Sequence, residues 1–188
     1  MRTNSNLKTL VECAILVALS FVLSFLKVWE MPFGGSVTLL SMLPVCVAAL
    51  RHGPKWGLGT AFVYSITQAL VSGAAGWGLS PKVLVICYLL DYIIAFTVLG
   101  LAGFAKGKSD AVQALSIVAV SFLRFISHYL SGVTIWASPE MYAGLEYGIT
   151  NPYLYSLLYN GAYMLPEAIF TAIGAFIMIK ALKSRKQL

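Results

Sequence analysis

The side chains in this chain with the most chemical potential are ionisable or amide groups set inside long apolar runs. They are Glu12, Asp91, Arg124, His128 and Glu167, with Gln68 and Asn160 as uncharged companions. Charged groups in apolar surroundings are costly and tend to mark function. His128, Gly132 and Trp136 recur at i, i+4 and i+8, so they share one helix face. Gly132 removes a side chain between an imidazole and an indole, which leaves room for a flat ligand. Asn160, Tyr163 and Glu167 recur at i, i+3 and i+7, and Tyr88 and Tyr92 flank Asp91. A carboxylate among rings suits a flat cation, because the acid neutralises the charge and the rings stack on it. Two structural alternatives stand beside this one. His128 can serve as a helix–helix hydrogen-bond partner, and Asp91 can simply pair with Arg124. Glu12 and Glu167 are expected to be structural partners outside the pocket.

These side chains need elements to position them. A bilayer is crossed by roughly 20 apolar residues in a helix. Six runs qualify: Leu10–Leu26, Val37–Leu50, Trp56–Ala75, Lys82–Ala105, Val112–Trp136 and Leu154–Leu182. The second is short, and is expected to be tilted, broken at Pro44, or bounded differently from the apolar run. The fold predicted is all-α: a single polytopic membrane domain over residues 1–188 with six transmembrane helices. At ~1.5 Å rise per residue, Asp91, His128, Asn160 and Gln68 lie roughly 10–13 Å below one surface, on four different spans. That shared level points to a pocket.

Composition and charge agree with a membrane chain. Of the residues, 59% are hydrophobic and 11% charged, against about 25% charged in soluble domains. The net charge of +6 does not point to nucleic acid, because the basic residues sit in short connectors rather than on a polar face. Arg2, Lys8, Arg51, Lys55, Lys106, Lys108, Lys180, Lys183, Arg185 and Lys186 fall in one set of connectors. Only Lys27 and Lys82 fall in the other. The positive-inside rule therefore predicts that both termini are cytoplasmic. The first outer connector, from Lys27 to Ser36, and the last, from Ala137 to Pro152, are long and rich in Gly, Pro and aromatics, as lids over sites often are. Trp77, like Trp136, falls near a predicted interface, where an aromatic belt is also expected. Ala14 and Ala18 form a small-xxx-small pair that permits close helix approach.

Several function classes are excluded or unsupported. No GxxxxGK[ST] phosphate loop, HExxH or GxSxG is present. Cys13, Cys46 and Cys87 lie in apolar stretches without metal-ligand spacing and read as small buried hydrophobes. No catalytic residue and no metal site is predicted. An intramembrane enzyme using Cys87, Asp91 and His128 has nothing to order nucleophile and base.

An ordered set of motifs then identifies a resemblance. Met31-Pro-Phe-Gly-Gly-Ser-Val37 is followed by Leu43-Pro44, Leu50-Arg-His-Gly53, Leu89-Leu-Asp-Tyr92, Ser127-His-Tyr-Leu-Ser-Gly132 and Tyr155-Ser-Leu-Leu-Tyr-Asn-Gly161. Together they resemble the thiamine-specific S components of energy-coupling factor (ECF) vitamin transporters over nearly the whole chain. The resemblance implies a six-helix subunit of a bacterial plasma membrane that captures thiamine at the outer face. It implies partners too: a membrane-embedded coupling (T) protein and two ATPase subunits, which use the ATP, so no cofactor is expected here. By motif, Asp91 takes the place of the acidic ligand contact, which is Glu in some members. Tyr92, His128, Gly132, Trp136, Tyr155 and Asn160 match other pocket positions. Gln68, Tyr88, Trp29, Phe33 and Trp77 are secondary candidates for ligand or lid, Trp29 or Phe33 standing in for a loop tryptophan of some members. Ala14 and Ala18 match the surface that docks on the coupling protein. The alternative is an S component or small secondary transporter for another flat nitrogen-rich vitamin or precursor.

Overall fold

The computed structural model describes residues 5–31, 34–136, 149 and 151–184. The last outer connector, with Pro139, Glu140, Tyr142, Glu146 and Tyr147, falls almost wholly outside them, as do Phe33, Arg2, Arg185 and Lys186.

Helix α1 (Ser5–Ser24) buries one stripe, Cys13, Val17, Ser20 and Ser24, at helical spacing. Ala14 and Ala18 lie exposed beside that stripe. The chain then turns into strands β1 (Lys27–Glu30) and β2 (Ser36–Thr38), an antiparallel pair with an irregular register between Lys27 and Trp29. Helix α2 (Leu43–His52) follows, with Pro44 in its first turn, where a missing N–H costs nothing. Gly53 and Pro54 separate it from α3 (Pro54–Val71). A 3₁₀ turn at Ala74–Gly76 leads to α4 (Pro81–Ala105). Helix α5 (Asp110–Trp136) is capped by Ser109, whose hydroxyl accepts from the Val112 N–H. Helix α6 (Pro152–Ser184) is capped by Asn151, whose Oδ1 accepts from the Tyr153 and Leu154 N–H groups at 2.9 and 3.2 Å.

Among the described residues five helices, α1 and α3–α6, with α3 extended to Gly76, are long and apolar enough to cross a membrane. The expected second span is corrected: Val37 and Thr38 belong to β2, and only the ten residues of α2 are helical. Pro44 opens that helix instead of breaking it. Non-helical backbone at such depth is tolerated where protein surrounds it or it borders a cavity. Both conditions hold. Val37, Thr38, Ser41 and Met42 are buried, while Ser36, Thr38 and Ser41 border the cavity described below.

The apolar core forms around α2. Met42, Leu43, Cys46 and Leu50 pack with Ala61 and Tyr64 of α3, Phe96, Leu99 and Ala102 of α4, Ile117 and Val120 of α5, and Ile179 of α6. Gly57 and Gly100 let α3 and α4 touch backbone to backbone, since a Cβ on Gly100 would stand 2.5 Å from the Gly57 carbonyl oxygen. The exterior is apolar as well, with Ile15, Leu70, Phe104, Leu115, Leu165 and Ile177 exposed, as lipid contact requires. At one end of the bundle Glu12 pairs with Arg51 at 2.5 Å and lies 3.1 Å from His52, while Lys106 lies against Gly53. Glu12 thus has the structural role expected. The opposite end opens into the cavity.

Candidate ligand-binding cavity

The cavity has a volume of about 1010 Å³ and lies between α3, α4, α5, α6 and the β1–β2 hairpin. Asp91, Tyr92, His128, Gly132, Trp136, Tyr155 and Asn160 all line it, and so do Gln68 and Trp77. Tyr88 stands behind Tyr92, ring centroids 5.9 Å apart, outside the wall. Trp29 lies on β1, about half exposed, and does not line the cavity. Phe33 lies outside the described residues.

Asp91 is the centre of the polar wall. His128 Nδ1 lies 3.1 Å from its Oδ1. Its Oδ2 accepts from Ser131 Oγ at 2.6 Å, Trp136 Nε1 at 3.2 Å and Cys87 Sγ at 3.5 Å. A buried carboxylate is tolerable when it is hydrogen-bonded in this way. Both Asp91 and Trp136 sit on π-helical stretches, Tyr88–Ile94 and Gly132–Trp136. The wider turn rotates side chains off the α-helical register, and such stretches recur at functional sites. Ser127 donates to the Leu90 carbonyl at 2.6 Å and so satisfies one backbone group of the first stretch.

The aromatic wall comes from α6 and α5. Tyr155 and Tyr159 stack at 5.5 Å, and Tyr159 meets Tyr163 edge to face at 6.3 Å. His128 is held edge-on between Phe96 and Tyr163, at 6.5 and 6.2 Å. Trp77 packs edge-on against Trp136 at 5.4 Å. Asn160 donates to the Ser156 carbonyl at 3.0 Å and accepts from Tyr163 Oη at 2.9 Å. Tyr159 Oη donates to the Gly34 carbonyl at 2.7 Å, which ties the hairpin to α6.

A second polar group forms the cavity floor. Arg124 Nη1 donates to Glu167 Oε2 at 2.9 Å, and the guanidinium lies 4.5 Å from the Phe96 ring centre. Thr38 Oγ1 donates to Glu167 Oε1 at 2.6 Å, so the hydroxyl of Ser41, also 2.6 Å away, must donate to Thr38. Two expectations are resolved here. Arg124 pairs with Glu167 rather than Asp91, leaving Asp91 for the cavity. Glu167, expected outside the pocket, lines it while remaining a paired charge.

Two further findings concern Gly132 and Gln68. Gly132 leaves room chiefly for a helix, since a Cβ there would collide with the Ser156 hydroxyl and stand 3.0 Å from Asn160 Nδ2. Gln68 lines the cavity but spends its Nε2 on Ser24 Oγ at 3.1 Å, spanning α3 to α1. Ser131, Ser156, Tyr159 and Phe96 were not singled out by sequence patterns. Ser131 carried a usable signal, three residues after His128 on the same helix. Cys87, one turn before Asp91, proves to be a thiol donor as well as a small buried group.

Such a wall has the chemistry that suits a flat cation: one hydrogen-bonded carboxylate among several rings. A protein-family model described as "Thiamine transporter protein (Thia_YuaJ)" matches residues 10–187. The thiamine transporter ThiT of Bacillus subtilis (strain 168) is 31% identical over 187 residues, covering 92% of this chain and 91% of its own length. The thiamine transporter ThiT of Lacticaseibacillus paracasei is 25% identical over 196 residues, covering 95% and 90%. A solved structure of ThiT from Listeria monocytogenes superposes with a TM-score of 0.69 over 98% of both chains; at 24% identity the likeness is one of fold.

Proposed function

Because this chain belongs to the thiamine transporter protein family, we propose that it is the thiamine-binding membrane subunit of an ECF-type importer. The observation that carries this reading is the Asp91 carboxylate, held 3.1 Å from His128 in the wall of a ring-lined cavity. Thiamine joins a cationic thiazolium to an aminopyrimidine. Asp91 neutralises the thiazolium, and Tyr92, Trp136 and Tyr155 supply ring faces. Asn160 Oδ1 keeps a second lone pair beyond its bond from Tyr163, and that lone pair accepts from the pyrimidine amino group. The cavity faces the cell exterior and both termini lie in the cytoplasm, as the basic connectors require. The subunit captures and a coupling protein with two ATPases supplies the energy, since the chain carries no phosphate loop of its own.

Titration of the purified chain with thiamine, followed by tryptophan fluorescence, tests the reading. Trp136 and Trp77 border the site, so a saturable quench at micromolar ligand or below is expected. A folded protein that gives no saturable signal overturns the proposal. Competition with riboflavin, biotin and pyrimidine analogues separates thiamine from other flat vitamins. Uptake into liposomes lacking the ATPase partners would favour a secondary transporter.

A further inference from the structure

We propose that Ser131 is a positioning residue for the ligand's positive charge, acting wholly through Asp91; this rests on the thiamine-binding reading above. Ser131 is fully buried (0% exposed) and stands behind the carboxylate instead of in the cavity wall. Serines inside helices usually return their hydroxyl to a carbonyl of the preceding turn. Ser121 of the same helix does so, donating to the Ile117 carbonyl at 2.8 Å. Ser131 donates across to α4, reaching Asp91 Oδ2 at 2.6 Å, the length of a charge-assisted O–H···O⁻ bond.

The consequence lies in how the two carboxylate oxygens are divided. Oδ2 takes Ser131, Trp136 Nε1 and the weak Cys87 thiol, more donors than its two lone pairs serve fully. Oδ1 takes His128 alone among the described residues. Ser131 therefore pins one oxygen against α5 and turns the other, with a lone pair to spare, toward the cavity. An aspartate on a π-helical turn has a short stem and few ways to be aimed. A hydroxyl on the facing helix fixes that aim without occupying ligand space.

The test compares thiamine with an uncharged analogue in which a thiophene ring replaces the thiazolium, by titration of the detergent-solubilised full chain. Ser131→Ala is expected to weaken thiamine about tenfold, and the neutral analogue less than about twofold, as loss of one hydrogen bond to a charged group predicts. Ser131→Thr, which keeps the hydroxyl, restores thiamine binding. Ser131→Cys preserves the packing and weakens the donor, so it reports even where the alanine variant fails to fold; thiamine is expected to lose several-fold there. Equal losses for both ligands, or wild-type thiamine affinity in Ser131→Ala or Ser131→Cys, overturn the proposal. If the wild-type chain does not favour thiamine over the neutral analogue, the assignment of Asp91 to the cation falls instead, and the role of Ser131 with it.

Discussion

Arg124 Nη1 donates to Glu167 Oε2 at 2.9 Å beneath the cavity, one helical turn below His128 on α5 and two below Asn160 on α6. The two charges neutralise each other and leave Asp91 as a carboxylate without a cationic Arg or Lys partner in the described wall. On the proposed function, the thiazolium of the ligand would complete that balance.

The pair is fully buried, so removing one partner is expensive while removing both is tolerable. Arg124→Met is expected to cost ~3–5 kcal/mol, because it leaves the buried charge of Glu167 without its cation. The double variant Arg124→Met, Glu167→Leu should recover most of that. Thermal unfolding in detergent checks both, and a single variant as stable as wild type would contradict the pairing.

Gly132 holds α5 against Ser156 of α6. Gly132→Ala should destabilise the chain by ~1–3 kcal/mol and weaken ligand binding, because the helices must part. Adding Ser156→Gly removes the collision and should restore stability. The comparison of melting temperatures among the three variants decides it.

Tyr159 ties the hairpin to α6 through the Gly34 carbonyl. Tyr159→Phe keeps the ring and removes one hydrogen bond, of about 0.5–1.5 kcal/mol net. Ligand release should quicken about two- to tenfold with little change in the association rate, if the hairpin closes over bound ligand. Stopped-flow fluorescence measures the two rates separately.

Ala14 and Ala18 lie exposed on α1 and do not line the cavity. Leucine at either position should leave thiamine affinity within about twofold, since surface substitutions rarely exceed ~0.5 kcal/mol. ATP-driven uptake by the assembled complex should fall sharply. Equal losses in binding and uptake would argue against separate surfaces.

The lengths of apolar runs sufficed to locate five long helices, because lipid demands about 20 apolar residues per crossing whatever the neighbours are. The second run misled, because a strand and a short helix buried in protein look, residue by residue, like an apolar span. Helical spacing also placed His128, Gly132 and Trp136 on one face and brought Asp91 and Asn160 to the same level. Periodicity cannot say which charge meets which across helices. That Arg124 takes Glu167, that Ser131 reaches Asp91, and that Gly132 admits Ser156 were decided by how α4, α5 and α6 rotate against one another, through π-helical turns that shift side chains off the regular register. The chain's one-dimensional pattern located the five long helices and several of the polar and aromatic residues that line the cavity. Packing alone determined how the donors divide between the two oxygens of Asp91, Ser131 and Trp136 on one and His128 on the other.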